Sequence, residues 1–341
     1  MLPSMPHAAD RPHLSVRVDA FPLEKTSLNV GNGRDRAEVV TVEIQEGSIR
    51  GRGEAAPYPL YGETIEEIVE TVERLAPDVA GGLSRRQLQR MLPPGAARNA
   101  LDCAIWDFDS KRAGSSVWQM AGLEVPHRLV TAYTIGVDTP DRMAARAGQE
   151  AHRPILRLEL NGSQDGGRLD IERVAAVRRT VPNAKLILDP HGSWTIEFLS
   201  RAMQVLASLH VEMIEQPLPA GADHELGGFK HTIPISADES CHDHSTLDTL
   251  TNRYDAVTVK LDKTGGLTEA LALVEGARDR GMRVAVGGGM ASSLGIAPAV
   301  LLSQAADWVA LDAPLHLSRD RQPGLRYDGS FLYPANVSLW G

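Results

Sequence analysis

Cysteine is scarce: Cys103 and Cys241 are the only two in 341 residues. Cys103 falls in a helical pattern and Cys241 in a polar loop, so no disulfide framework is implied. Runs of lysine and arginine are also missing, and the net charge is −9, which argues against a basic nucleic-acid surface. The first residues, MLPSMPHAADRPH, hold no apolar core of a secretory leader. One stretch, Val284 to Ala306, lacks charge over a length that would cross a bilayer. Its four glycines, one proline and three serines fit a buried strand, a glycine-rich turn and a buried helix instead. A cytoplasmic protein with no nucleic-acid and no membrane partner is expected.

What is present points to a globular chain with two parts. Hydrophobic residues make up 43% and charged residues 23%, ordinary values for a soluble fold. The length exceeds one typical domain and suits a small domain plus a barrel. From His13 to about Pro57 the runs HLSVRV and VVTVEI read as strands, punctuated by NVGNGRD and QEGSIRG. Helical patterns follow, one starting at TIEEIVETVERL with Thr64 and Glu67 as a capping box, another over about Ala96 to Arg112. Residues 1–125 are thus expected to form an α+β domain, completed by a tail of about residues 315–341.

Eight strand candidates occupy the remainder, residues 126–314. They are VTAYTI, ILRLEL, KLILD, VEMIE, IPISAD, AVTVK, RVAVG and WVALD. Near-continuous apolar strands alternating with helical segments indicate a parallel sheet, and eight of them fit a closed barrel. Glu159, Asp189, Glu215, Asp238 and Lys260 end five successive strands, with steps of 30, 26, 23 and 22 residues. Each step is one βα unit, so these groups belong at one rim, where such barrels do chemistry.

Bare carboxylates from adjacent strand ends oppose one another's ionisation. A hard divalent ion with oxygen ligands resolves that conflict, and Mg²⁺ at Asp189, Glu215 and Asp238 is the expected cofactor. Lys260 on the next strand would point into the mouth as a general base, its pKa lowered by burial and nearby cations. Lys263, three residues on, is expected to face solvent. Thr134, at the end of the first barrel strand, is a substrate-binding candidate. Ser292 is another, with capping of the following helix as its other role. His242 and His244 read as parts of a polar loop, and His191 lies two residues past a candidate metal ligand.

These strings resemble the enolase superfamily, in its muconate-lactonizing subgroup, and most closely the dipeptide epimerases of the L-Ala-D/L-Glu type. The matching segments are GRGEAAPYPLYGET, ARNALDCAIWDFDSKRAG, DPHGSW, IEQPLPAG, ADES, VKLDKTGGLTEAL and VALDAPL, spread over nearly the whole chain. The resemblance implies a modified TIM barrel, (β/α)₇β, under an N-terminal α+β capping domain, an α/β fold. It implies Mg²⁺-dependent removal of the proton α to a carboxylate, with the metal stabilising an enediolate. It makes Asp189, Glu215 and Asp238 the metal ligands and Lys260 one of two proton-transferring lysines. The substrate would be a small-molecule carboxylate, a dipeptide among the candidates. Arg34, in a loop of the first domain, would hold a side-chain carboxylate of that substrate, with Tyr58 and Tyr61 nearby. Asp312 would meet its ammonium group. Homo-oligomerisation is left open.

The chain departs from the family pattern where protons move. The Lys-x-Lys of the second barrel strand reads Arg157-Leu158-Glu159, so Glu159 takes the place of the second catalytic lysine and Arg157 keeps the charge of the first. The Asp-x-Asp of the last strand reads Ala310-Leu311-Asp312. Strand alternation puts 157 and 159 on one side, facing the barrel interior. A protonated Glu159 would pair with Lys260 for epimerisation; a salt-bridged one would not. Two other readings therefore stand beside an isomerase: a one-base lyase or dehydratase using Lys260 alone, and a catalytically silent carboxylate binder.

Overall fold

The computed structural model describes residues 11–25, 35–162 and 167–341. Three antiparallel strands open the chain: β1 (His13–Pro22), β2 (Arg36–Glu46) and β3 (Ile49–Ala55), in the order β1-β2-β3. β2 is central, and its Val39, Val40, Thr41 and Val42 are all fully buried. One face packs on the helices Ile65–Glu73 and Ala96–Ala113 through Val40, Val42, Ile68, Val72, Leu101 and Phe108. The helix Ile65–Glu73 is capped by Thr64, whose hydroxyl accepts from Glu67 N at 3.2 Å. The helix Ala96–Ala113 lies so close to β3 that a Cβ at Gly51 would collide with Phe108 and one at Gly53 with the Ala100 carbonyl. Glycine is needed there because backbone meets backbone.

That helix is buried on nearly every side, since its second face meets the barrel. Leu101 and Ile105 belong to the first-domain core, whereas Cys103 and Trp106 belong to the barrel core. It ends at Gly114, in the left-handed conformation with φ of 63°, the usual helix stop.

A short ribbon, β4 (Leu129–Val130) with β13 (Tyr327–Asp328) and β14 (Phe331–Leu332), precedes the barrel in space. The barrel strands are β5 (Tyr133–Ile135), β6 (Ile155–Glu159), β7 (Lys185–Asp189), β8 (Val211–Glu215), β9 (Ile235–Ala237), β10 (Ala256–Val259), β11 (Arg283–Gly287) and β12 (Trp308–Ala310). They are parallel and run in chain order. Ala132 N donates to the Val309 carbonyl at 2.8 Å, joining the first strand's approach to the last. The strands coincide with the eight sequence runs, and the fold is the expected capped α/β barrel.

Strand alternation sorts the side chains. Leu156, Leu158, Leu186, Leu188, Val257 and Val259 pack outward against the helical layer. Ala132, Ile187, Met213, Ala256, Ala285 and Trp308 form a separate inner cluster. Two residues past Ile187 and Met213 stand Asp189 and Glu215, and four past Ala256 stands Lys260, the charged groups of the rim. The uncharged run from Val284 resolves into β11, a turn and the helix Ser293–Leu302. No helix among the described residues is long and apolar enough to cross a membrane. Both cysteines are free and buried, Cys241 included, although its neighbours are polar.

The chain returns to the first domain after β12. Arg321 bridges Asp19 (3.0 Å), Thr41 (2.6 Å) and Glu54 (2.6 Å), and Trp340 Nε1 donates to the Cys103 carbonyl at 3.0 Å. Asp262, just past β10, ties the barrel to the first domain by accepting from Asn99 Nδ2 (2.8 Å) and Ala56 N (3.2 Å).

Two predictions follow from this packing. Gly53→Ala is expected to lower stability on the order of 1–3 kcal/mol through overpacking, read as an earlier chemical-denaturation midpoint with unchanged slope. Burial pushes the Asp262 carboxyl up to about 7, against the hydrogen bonds from Asn99 and Ala56. A folded-state pKa above the unfolded one adds stability at low pH that is lost as pH rises through the folded value. Asp262→Asn should therefore remove part of the decline in melting temperature between pH 4 and 7; an identical slope in both proteins would contradict it.

Candidate active site

The rim carboxylates converge as their strand positions require. Glu159 pairs with Asp189 across β6 and β7, and Glu215 with Ser236 across β8 and β9. Asp189, Glu215 and Asp238 are buried, and one oxygen from each lies within 4.8 Å of the others. Gln216 holds the third in place. Its Oε1 accepts from Asp238 N (2.9 Å) and Ser240 N (3.1 Å), and its Nε2 donates to Tyr254 Oη at 3.0 Å. Gln216 sits at φ of 36° and His191 at 49°, strained values for such residues. The loops they occupy are joined by Gly192 N donating to the Gln216 carbonyl at 2.7 Å.

Cations interleave with the acids. Arg157 Nε donates to Glu215 Oε2 at 2.9 Å, Nη2 bonds Asp189 Oδ2, and Nη1 lies 3.5 Å from Glu159 Oε1. Lys260 Nζ bonds Asp238 Oδ2 and lies 3.9 Å from Glu215 Oε1. Lys263, expected in solvent, is instead fully buried. It stands in a single helical turn, Leu261–Thr264, that folds inward. Its ammonium donates to the Asp238 and Thr258 carbonyls and lies 2.8 Å from Asp238 Oδ1. His191 reaches over the rim, with Nδ1 3.4 Å from Asp189 Oδ2 and 3.6 Å from Glu239 Oε1, and Nε2 3.8 Å from Glu159 Oε1.

These contacts set the ionisation. Burial alone would lower the Lys260 pKa, but Asp238, then Tyr58 and Glu215, outweigh it and hold the ammonium charged well above its usual range. That is opposite to the direction expected from desolvation. Burial likewise opposes the charge on Asp238, yet Lys260 and Lys263 keep its pKa low. The Asp189 carboxylate pushes the His191 imidazole up to about 11. Burial lifts Asp189 itself, with His191 and Arg157 pulling back.

The donor set fits a hard cation. Five carboxylates, counting Glu159 and Glu239, face Arg157, Lys260, Lys263 and a charged His191, which leaves one negative charge in excess. Asp238 Oδ1 and Glu239 Oε2 are buried without a well-angled hydrogen bond among the described residues. All-oxygen ligands with surplus negative charge suit Mg²⁺ or a similar ion.

The substrate-side candidates divide. Thr134 and Asp312 join Arg157, Glu215, Lys260 and Ala310 in lining a small cavity of about 30 Å³. Asp312 is already engaged: Oδ2 accepts from Thr134 N (2.5 Å) and His316 Nε2 (2.9 Å), and Oδ1 from Thr134 Oγ1 (3.1 Å). Burial would raise its pKa, but His316 and the Thr134 amide bring it below the usual range. Ser292 lies away from this cavity; its amide donates to Glu54 Oε1 at 2.8 Å and its hydroxyl accepts from Leu294 N at 3.3 Å as a helix cap. Tyr58 and Tyr61 stack with centroids 4.9 Å apart, and Tyr61 meets the His242 ring at 4.7 Å. Arg34 lies outside the described residues.

A capped parallel barrel with three converging acids and a lysine on successive strand ends is the architecture of enolase-type barrels. Comparison with known families agrees: residues 15–122 match the mandelate racemase/muconate lactonizing enzyme N-terminal domain and residues 142–329 the enolase C-terminal domain-like model. The chain belongs to the mandelate racemase/muconate lactonizing enzyme family of the enolase superfamily. It is 42% identical to an L-Ala-D/L-Glu epimerase of Escherichia coli, covering 91% of this chain and 95% of that one. It is 35% identical to an N-acetyl-D-glutamate racemase of Pseudoalteromonas sp., covering 89% and 95%. A crystal structure of an enolase family member from Agrobacterium tumefaciens with homology to dipeptide epimerases, holding sodium and L-Ala-L-Glu, superposes with a TM-score of 0.91 at 43% identity, over 97% of this chain and 100% of that one. The named relatives are isomerases acting on amino-acid derivatives.

Lys263, which the sequence motif hid, offers a direct check on this geometry. Lys263→Met removes a buried cation from Asp238 and is expected to destabilise the fold by about 3–5 kcal/mol, measured by urea unfolding. A loss below about 1 kcal/mol would show that Asp238 does not depend on it.

Proposed function

We propose that this protein inverts the carbon α to a carboxylate in an N-substituted amino acid, with Asp189, Glu215 and Asp238 holding a divalent ion, most suitably Mg²⁺. The observation that carries the reading is the placement of Lys260 beside the three carboxylates on a cavity that reaches Thr134 and Asp312. The bound ion would supply positive charge against the negative charge that grows as the α-proton leaves.

The chain's own groups handle the proton. Inversion needs a donor and an acceptor on opposite faces. Lys260, held as an ammonium by Asp238 and Glu215, is the donor in one direction. Glu159, whose contacts to Arg157 at 3.5 Å and to His191 at 3.8 Å are long for charge-assisted bonds, is the partner group on the other face and the acceptor. In the reverse direction the roles exchange. A one-base lyase would need only Lys260, but the epimerase and racemase relatives favour inversion.

A second observation bears on the substrate. Position 310 is alanine, and both oxygens of Asp312 already accept hydrogen bonds from Thr134 and His316. Little negative charge is left to receive a free ammonium. This favours an N-acylated amino acid, as in the name of the Pseudoalteromonas relative, over a dipeptide with a charged amino end.

The test is incubation with Mg²⁺ in D₂O, separately with N-acetyl-L-glutamate and L-Ala-L-Glu, following the α-proton by NMR and the product by chiral chromatography. Deuterium should enter with inversion, faster for the acylated substrate, and Lys260→Met should slow it about 10²–10⁴-fold. Elimination without inversion would assign a lyase. No exchange with either compound would remove the isomerase reading.

A further inference from the structure

Arg157 has a role that its place in the barrel wall does not by itself suggest. The side chain is 8% exposed, and its guanidinium is planar, permanently charged and able to hold two carboxylates at once. Two of its three contacts are oxygens of the would-be metal ligands: Glu215 Oε2 at 2.9 Å and Asp189 Oδ2. The third is Glu159 Oε1 at 3.5 Å, the loosest of the set. A guanidinium lying across Asp189 and Glu215 and a divalent ion bound to the same oxygens repel each other and compete for the same lone pairs. Neither can be neutralised by a proton, since arginine does not give one up.

From this geometry we propose that Arg157 is a tethered competitor for the metal site, and that Glu159 is the carboxylate that receives it when a divalent ion takes Asp189 and Glu215. The proposal rests on the metal reading given above. Glu159 is suited to the task because it belongs to the same strand, two residues on, and already touches the far nitrogen of the fork. Moving the guanidinium from two carboxylates to one is a short swing that leaves no buried charge unpaired. Exchange sets the metal affinity: the free ion must displace a cation whose effective concentration is high because it is built into β6. The exchange also couples the two halves of the site. Once the ion is bound, Arg157 rests on Glu159. Arg157 and Glu159 are thus positioning residues for the ion, separate from any part Glu159 plays with substrate.

The experiment is calorimetric titration of Mg²⁺ into wild type, Arg157→Met, Glu159→Gln and the double variant, with Asp238→Asn locating the ion and circular dichroism confirming the fold. Arg157→Met should bind Mg²⁺ at least tenfold more tightly than wild type. Glu159→Gln should bind it at least tenfold more weakly, because the displaced guanidinium has lost its acceptor. In the Arg157→Met background the Glu159→Gln effect should shrink at least threefold, which separates exchange from simple loss of a nearby charge. Unchanged affinity in Arg157→Met, or an equal Glu159→Gln effect in both backgrounds, overturns the proposal and leaves the metal reading intact. Should Arg157→Met fail to fold, Arg157→Lys keeps the charge without the fork and is expected to tighten binding at least threefold; no tightening overturns the proposal. Absence of Mg²⁺ binding in all proteins overturns the proposal and the metal reading together.

Discussion

Mutual repulsion among carboxylates crowded at one barrel rim is the constraint on which the rest of this structure depends. Five of them meet where β6 to β9 end, in a region largely shut off from water. Such a group stays folded only if positive charge is threaded through it. The chain does so with side chains from several elements: Arg157 from inside the barrel wall, Lys260 from the end of β10, Lys263 from the turn that follows, and His191 from a strained loop above. The cations are shared: Arg157 and His191 each meet three acids, and Lys260 and Lys263 both meet Asp238. The remaining negative charge is what makes a hard metal ion a natural occupant.

The same constraint explains why the surrounding scaffold is so tightly specified. Gln216 spends its whole amide on fixing the backbone around Asp238 and the loop beside it. Gly192 lets the His191 loop approach the neighbouring one. Asp312 is locked by Thr134 and His316 across the seam where the barrel closes. Fixed positions allow small changes in residue type to change chemistry without moving the frame. A carboxylate at 159 and an alanine at 310 alter proton transfer and substrate recognition while the metal side stays as it is.

Much of this was legible in the chain before its fold was known. The strands were, because parallel barrel strands are buried on both faces and so read as short apolar runs, five successive ones closed by an acid or a lysine. The rim acids were, because their spacing repeats one βα unit. Strand alternation placed Arg157 and Glu159 on the inner face. Contacts set by distant partners were not legible. Lys263 lies in a polar motif that suggests a loop, and the Asp238 carboxylate together with the carbonyls of Thr258 and Asp238 draws it inward. Ser292 reads as a substrate contact or a helix cap, and its partner Glu54, far away in the chain, was not legible. The direction of the Lys260 shift was misjudged because burial was weighed without the ion pairs that burial strengthens.

The segment after β12 has a consequence of another kind. Residues 317–340 reach back to the first domain: Arg321 closes a cluster with Asp19, Thr41 and Glu54, and Trp340 Nε1 donates to the Cys103 carbonyl of the long helix. A ribosome delivers these residues after the barrel, although the sheet that Arg321 touches is delivered before it. The first domain must therefore wait, with part of its surface uncovered, while the barrel is made. Domains usually fold in the order of synthesis; here the first domain reaches its final state only after Arg321 and Trp340 have been made, and a nascent chain halted in the barrel has no finished domain to show.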